Sequence, residues 1–375
     1  MEFLVEGFKA LEWQHFVMWI IGALLIFLAI RFKMEPALLL PMGFGAILVN
    51  IPLSGAINQD GTPGFLEVLY NAGIKMGELM PLLLFIGIGA MMDFGPLLSN
   101  PKLFFFGGAA QIGVFLTIIL AALCGFNLSD AISVGVIGTA DGPTSIAVAT
   151  MLNSTFIGAI TVAAYSYMAL VPIIQPAVIR LCTTKKERLI RMEYNPASVS
   201  RLTRILFPVI VTLVAGLVAP PSVGLVGCLM FGNLIRECGV LGSLTETASK
   251  VLSNLVTLLL GITVAFGMKG EQFLQWQTLL IMCLGLFAFV FDTMGGIFLA
   301  KFMNLFTKKK INPMVGAAGI SAFPMSSRVV QKMGVKEDPS NHLLMHAAGA
   351  NVAGQISSVI AGGVLITIAK MMLGA

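Results

Sequence analysis

The stretch Val134–Ser145, VGVIGTADGPTS, is the part of the chain best equipped for chemistry. It lies in an intensely apolar region yet carries Asp141, the hydroxyls of Thr139, Thr144 and Ser145, three glycines and Pro143. Glycines permit unusual backbone angles and proline deletes an N–H donor, so a helix entering here should unwind near Asp141. It should restart after Pro143, because proline suits a first helical turn. Unwound backbone at membrane depth survives only when buried in protein or lining a wet cavity. An ionisable residue at that depth points to a function. The oxygens gathered here suit a hard cation, and one carboxylate among neutral oxygens suits a monovalent ion, sodium or a proton.

A second stretch, Val315–Ser326, VGAAGISAFPMS, repeats the first at an offset of 181 residues, with Val, two Gly, Pro and Ser coinciding. Asn312, Ser321, Ser326, Ser327 and Arg328 surround it. Arg328 offers a planar fork that binds a carboxylate at two points, although a charge there also fits a side chain reaching for the membrane surface. Tyr165, Ser166 and Tyr167 follow the first stretch closely enough to face it. Asp292, in VFDTMGGIF, is a second intramembrane carboxylate and aligns with Gln111 at the same offset. It reads equally as a second ion ligand or a paired buried acid. Asn351 and Gln355, after His342 and His346, are candidate ligands, with polar glue between helices as the favoured reading.

The elements that position these residues follow from composition. The chain has 375 residues, 57% hydrophobic and 11% charged, with mean hydropathy +0.93. Soluble domains carry roughly 25% charge, so this reads as an all-α polytopic membrane protein. The net charge of +5 does not signal nucleic acid, because the basic residues collect in short loops. The five cysteines lack C-x-x-C spacing, no His/Cys cluster suits a transition metal, and no P-loop is present. The N-terminal MEFLVEGFKALEWQHF reads as an interfacial helix.

Spans are expected at 16–30, 36–52, 79–92, 103–124, 156–179, 205–219, 222–235, 251–266 and 279–300, with a last one at the C-terminus. Residues 53–78 read as a polar external loop. Arg31, Lys33, the basic linker 181–204 and Lys308–Lys310 mark the cytoplasmic side. The first repeat, 1–180, then starts outside, and the second, 205–375, starts inside, so the two are inverted. For the charges to agree, the broken segments 131–152 and 312–330 must each enter and leave on one side. About ten transmembrane helices plus two re-entrant hairpins result, an arrangement used by transporters.

GTADGPTSI (138–146), AAYSYMALVPIIQP (163–176), INPMVGAAGISAFPMSSRV (311–329) and MHAAGANVAGQI (345–356) resemble the β-subunits of biotin-dependent, sodium-pumping decarboxylases. EPALLLPMGFGAILVNIP (35–52) and GAMMDFGPLLSNP (89–101) extend the resemblance over nearly the whole chain. It implies decarboxylation of carboxybiotin carried by a partner, uptake of a proton, and sodium export across a bacterial cell membrane. The family's sodium-binding Asp falls on Asp141 and its essential Tyr on Tyr167. Its functional Asn, Gly, Ser and Arg fall on Asn312, Gly316, Ser321 and Arg328.

Sodium is therefore expected at Asp141, Thr144, Asn312 and Ser321, catalysis at Tyr167 and Arg328, and structural glycines at Gly142 and Gly316. Asp292 and Asn351 are further candidates. No AMKM-like biotinylation motif is present, so biotin must arrive in trans. The implied partners are a carboxyltransferase α-subunit, a biotin-carrier subunit and a small single-span membrane subunit, and a homo-oligomer is expected. The short 53–78 loop favours the glutaconyl-CoA or methylmalonyl-CoA branch over the oxaloacetate one. A sodium/carboxylate symporter is the alternative that shares the same architecture, and a structural anchor would have no use for Asp141 and Arg328.

Overall fold

The computed structural model describes residues 3–33, 35–58, 61–193 and 199–374, and among these the secondary structure is entirely helical. Part of the basic linker, 194–198, lies outside the described residues. After a short N-terminal helix α1 (Phe3–Lys9), α2 (Trp13–Phe32) fully buries only Met18, Gly22 and Ala29, packs Ile21, Leu25 and Leu28 partly against the core, and leaves Ile20, Leu24, Phe27 and Ile30 exposed. Helix α3 (Pro36–Val49) starts on Pro36 and crosses α2 where Gly22 meets Gly43. A Cβ on Gly22 would lie 2.7 Å from the Gly43 carbonyl, so the two backbones touch directly.

Residues 53–78 are not the polar loop expected. Phe65–Lys75 is helical (α4) and meets α5 (Leu79–Met91) at a 63° bend. Glu67, Asn71 and Lys75 disguise the helix, but Leu66, Gly73 and Ile74 recur at helical spacing and are buried. The last turn of α4, Asn71–Lys75, is π-helical, and α12 (Gly242–Met268), the third element of the second half, carries another π turn at Thr247–Leu252.

Between these lie α6 (Pro101–Leu123), α7 (Leu128–Thr139), α8 (Gly142–Met151), α9 (Ile157–Cys182), α10 (Arg201–Val218) and α11 (Val223–Glu237). The chain ends with α13 (Trp276–Phe306), α14 (Pro313–Ala317), α15 (Met325–Glu337) and α16 (Leu344–Leu373). Among the described residues, seven helices are long and apolar enough to cross a membrane, eight with the bent α4–α5 pair, against ten expected. The shortfall comes partly from α3 and α11, whose 14 and 15 residues span less than a hydrocarbon core of about 30 Å at about 1.5 Å per residue. Across the halves, α3 packs on α12 and α5 on α11, while α9 packs on α13 and α16 on α6.

Each broken segment has its ends clamped together. In the first, α7–α8, Asp130 at the start accepts from Ser154 Oγ at 2.6 Å and Thr155 N at 2.9 Å, just past the end. Its other oxygen accepts from Asn127 and Thr155 Oγ1 at 2.7 and 2.9 Å. In the second, α14–α15, Asn312 before the entry and Asn341 after the exit donate to the same two linker carbonyls, Arg188 O and Ile190 O. Arg188 also bridges to Glu337 at 2.8 Å, so the linker closes this mouth.

The tips of the two broken segments meet in the interior, where Ser321 N donates to Thr139 O at 3.1 Å. Small residues make the approach possible: α14 rests on α13 at Gly316 and Gly296, where a Cβ on either would collide with the other's backbone carbonyl. Backbone cannot swing aside as a flexible side chain can. Gly316→Val should therefore lower stability by about 1–3 kcal/mol or more, read as a lower thermal midpoint in detergent. Gly108→Ala, at a helical position with nothing within 4 Å, should not lower that midpoint.

Candidate functional site

The first tip is built by a helix that cannot continue. After the tight turn Ile137–Thr139, Ala140 takes left-handed angles (φ 52°) and Asp141 is extended, and α8 restarts with Pro143 in its first turn. The Asp141 backbone carbonyl accepts from Ser145 N at 3.0 Å and Ser145 Oγ at 2.9 Å, which fixes the new helix start. Its carboxylate therefore sits at a helix N-terminus, where the backbone dipole favours negative charge.

That carboxylate is 3% exposed. Oδ2 accepts from Thr144 Oγ1 at 2.6 Å, Gln355 Nε2 at 2.6 Å and, more distantly, Ser358 Oγ at 3.4 Å. All three donors are neutral, and among the described residues no basic side chain pairs with Asp141. Hydrogen bonds ease the burial of a carboxylate without cancelling its charge. The oxygens of Asp141, Thr144, Ser145 and Ser358 form a donor set suited to a hard monovalent cation.

Helix α9 presents its two tyrosines to different neighbours, because residues two apart on a helix point about 200° apart. The Tyr165 ring lies against Gly142, and a Cβ there would strike the ring. Its buried hydroxyl has no hydrogen-bond partner among the described residues. Tyr167 instead donates to Met282 O on α13, with its ring against Gly285. The structure thus sets Tyr165 beside the Asp141 turn and turns Tyr167 away from it.

At the second tip, Ser321 Oγ donates to Gly354 O at 3.1 Å and Asn351 Nδ2 to Ile320 O at 2.6 Å. Gln175 on α9 donates to Ala317 O at 2.8 Å and to Ser326 Oγ at 2.6 Å. Asn312 is not at this tip. It caps α14, accepting from Met314 N at 3.0 Å while its amide holds the linker at the mouth. Asp292 stands behind the first tip: Oδ1 accepts from Val114 N at 3.1 Å, and Oδ2 lies 2.6 Å from where a Gly138 Cβ would be.

Arg328 is exposed on α15 and forms no ion pair within 4.0 Å among the described residues. Its charge is felt by Glu35, in the α2–α3 turn. Burial pushes the Glu35 carboxyl up from its ordinary pKa, while the positive charge of Arg328 pulls the other way. The guanidinium is left open to an incoming anion.

The fold therefore unites Asp141 with Thr144, brings Ser321 to the first tip through backbone, and keeps Asn312, Tyr167, Asp292 and Arg328 apart from Asp141. Gln355, read from sequence mainly as helix glue, bonds the carboxylate directly. Ser358 was not legible, and its only signal is its place one turn beyond Gln355 on the same face. Gln175, a lone amide between Pro172 and Pro176, was missed as well.

Residues 14–369 match the model of the family described as Na+-transporting oxaloacetate decarboxylase beta subunit. The chain is 46% identical over 361 residues to the glutaconyl-CoA decarboxylase subunit beta of Acidaminococcus fermentans, covering 96% of this chain and 95% of that one. It is 44% identical over 383 residues to the methylmalonyl-CoA decarboxylase subunit beta of Propionigenium modestum, covering 96% of each. It is 40% identical to the oxaloacetate decarboxylase beta chain of Haemophilus ducreyi, with both chains covered in full. Matched from end to end at these identities, this chain belongs to the family of β-subunits of Na+-transporting decarboxylases.

Proposed function

We propose that this chain decarboxylates carboxybiotin presented by a separate carrier subunit and uses that step to export sodium, as the β-subunit of a glutaconyl-CoA or methylmalonyl-CoA decarboxylase. The observation that carries the reading is Asp141, a buried carboxylate at a broken helix whose partners are all neutral. Such a group needs a cation, either a proton or sodium, and exchanging one for the other is the coupling a pump requires. A symporter would share this site, but family membership favours the decarboxylase. The acyl-CoA branch is supported by the identities, 46% to the glutaconyl-CoA and 44% to the methylmalonyl-CoA subunit against 40% to the Haemophilus ducreyi oxaloacetate chain.

The reciprocal pairing of α3 with α12 and α5 with α11, and the π turns in α4 and α12, support two inverted repeats, 1–180 and 205–375, around the linker 181–204. The end clamps at Asp130 and at Asn312 and Asn341 support two re-entrant hairpins. In this reading the protein is a multi-pass component of the bacterial inner membrane. Its partners are the carboxyltransferase, the biotin carrier and a single-span subunit, and it forms homo-oligomers.

The carrier's carboxybiotin supplies the carboxyl group that leaves as carbon dioxide. This chain does the rest. Arg328, exposed and unpaired, receives the carboxylate. When the N–C bond breaks, its electron pair stays on the ureido nitrogen, which takes up a proton. Tyr167 relays that proton in this reading, with its hydroxyl held at Met282 O and apart from the Asp141 turn. Sodium entering at Asp141 and Thr144 displaces a proton, and Ser321 holds the second tip against this site through Thr139 O and Gly354 O. Asn312 serves by holding the second hairpin's mouth, Gly142 and Gly316 by admitting Tyr165 and Gly296, and Asn351 by anchoring the second tip. Asp292 braces α6 by accepting from Val114 N.

Asp141→Asn keeps shape and removes the charge, so the assembled complex should lose sodium-dependent decarboxylation. Unchanged sodium dependence would sink the assignment.

Topology is checked by labelling single cysteines in a cysteine-free background. Those introduced near Lys309 and Lys336 should both react from the cytoplasm, and one near Asn153 only from outside. Opposite sides for the first two would exclude the second re-entrant hairpin.

Arg328→Lys keeps charge but loses the two-point fork. The rate response to carboxybiotin should weaken about 10- to 150-fold, while sodium binding by calorimetry stays near normal. Loss of sodium binding with normal carboxybiotin kinetics would reverse the division of labour between the hairpins.

A further inference from the structure

A cavity of about 840 Å³ opens where the linker, the start of α6 and the end of α13 converge. Its walls include Lys102, Arg191, Lys308, Lys309 and Lys310, with Glu193 as the single acidic residue. Arg191 is engaged by Asp338 at 2.7 Å, and Lys310 donates to Asn304 O. Lys102, Lys308 and Lys309 form no ion pair among the described residues. Three ammonium groups converging without carboxylate partners repel one another, and an anion between them removes that cost.

Two features of its surroundings select the anion. The walls are the ends of two membrane spans, Pro101–Leu123 and Trp276–Phe306, and the basic cluster marks the cytoplasmic end. The cavity therefore lies at the level of lipid headgroups. Within about one turn of it, Phe104, Phe105, Phe302, Leu305 and Phe306 are exposed, and the Phe302 and Phe306 rings meet edge to face at 5.2 Å. A soluble anion has no use for that apolar apron, whereas a phospholipid uses both parts.

We infer that this cavity is a binding site for an anionic phospholipid, with the phosphodiester held by Lys102, Lys308 and Lys309 and the acyl chains on the exposed aromatics of α6 and α13. Basic pockets between spans on this side are suited to such headgroups. The site is separate from the decarboxylation machinery: Arg328 does not line it. It does include Ile311, next to Asn312 at the mouth of the α14–α15 segment. A bound lipid therefore braces the second hairpin against the linker, and thermal stability should depend on it.

The test uses the full-length chain in detergent, with native mass spectrometry and thermal unfolding read against added lipid. Diphosphatidylglycerol should bind and raise the thermal midpoint, and phosphatidylcholine should do neither. Lys102→Gln/Lys308→Gln/Lys309→Gln, all at surface positions, should weaken diphosphatidylglycerol binding about 100-fold. A second variant, Phe105→Ser/Phe302→Ser, should weaken lipid binding with the lysines intact. Equal lipid binding by the wild type and the triple variant would overturn the inference. Competition by inorganic phosphate or by water-soluble glycerophosphate, with no loss in the phenylalanine variant, would also overturn it and leave a soluble-anion site.

Discussion

A carboxylate buried among neutral donors is the constraint on which the rest of the structure depends. Removing an ionised carboxyl from water costs several kcal/mol even after relaxation, and the Asp141 partners recover only part of that. The N-terminus of α8 adds about 0.3–1 kcal/mol, and up to about 2 in buried geometry. What remains must come from a counter-ion that the protein does not supply. A basic residue in this place would have neutralised the site permanently. Its absence among the described residues leaves the charge to be balanced by something that can leave again.

Placing such a group in the interior requires a helix to break there, and broken helices expose backbone that lipid cannot satisfy. The fold answers by setting one break against another. Thr139 O, freed at the first tip, receives Ser321 N from the second. The clamps at Asp130 and at the two asparagines hold each segment's ends so that the tips meet in register. Close contact between Gly296 and Gly316 brings the second tip near enough for that bond to form.

Helix α16 ties the two tips into one unit. Within about two turns it bonds Ile320 O through Asn351, accepts Ser321 Oγ at Gly354 O, and reaches Asp141 through Gln355 and Ser358. One stretch of α16 thus contacts both the second tip and the Asp141 carboxylate. This physical connection joins the second tip to the buried Asp141 carboxylate.

The sequence by itself determined the break and its charge. A Gly- and Pro-rich stretch bearing one carboxylate in an apolar run has few stable readings, because bilayer energetics forbid the others. The basic linker and the family motifs were legible for similarly local reasons. Tertiary structure decided which side chains meet. Tyr165 and Tyr167 look alike in the chain, yet only the packing of α9 shows that the first abuts Gly142 and the second bonds Met282. Gln355 reads as glue until α16 is placed beside Asp141, and Asn312 reads as a ligand until the linker is seen hanging from its amide. The α4 helix was hidden because Glu67, Asn71 and Lys75 interrupt a short apolar segment, and its apolar face becomes evident only when Leu66 and Ile74 are buried. A helix fixes the angle between its own side chains, but the identity of whatever they face belongs to another part of the chain, brought there by folding.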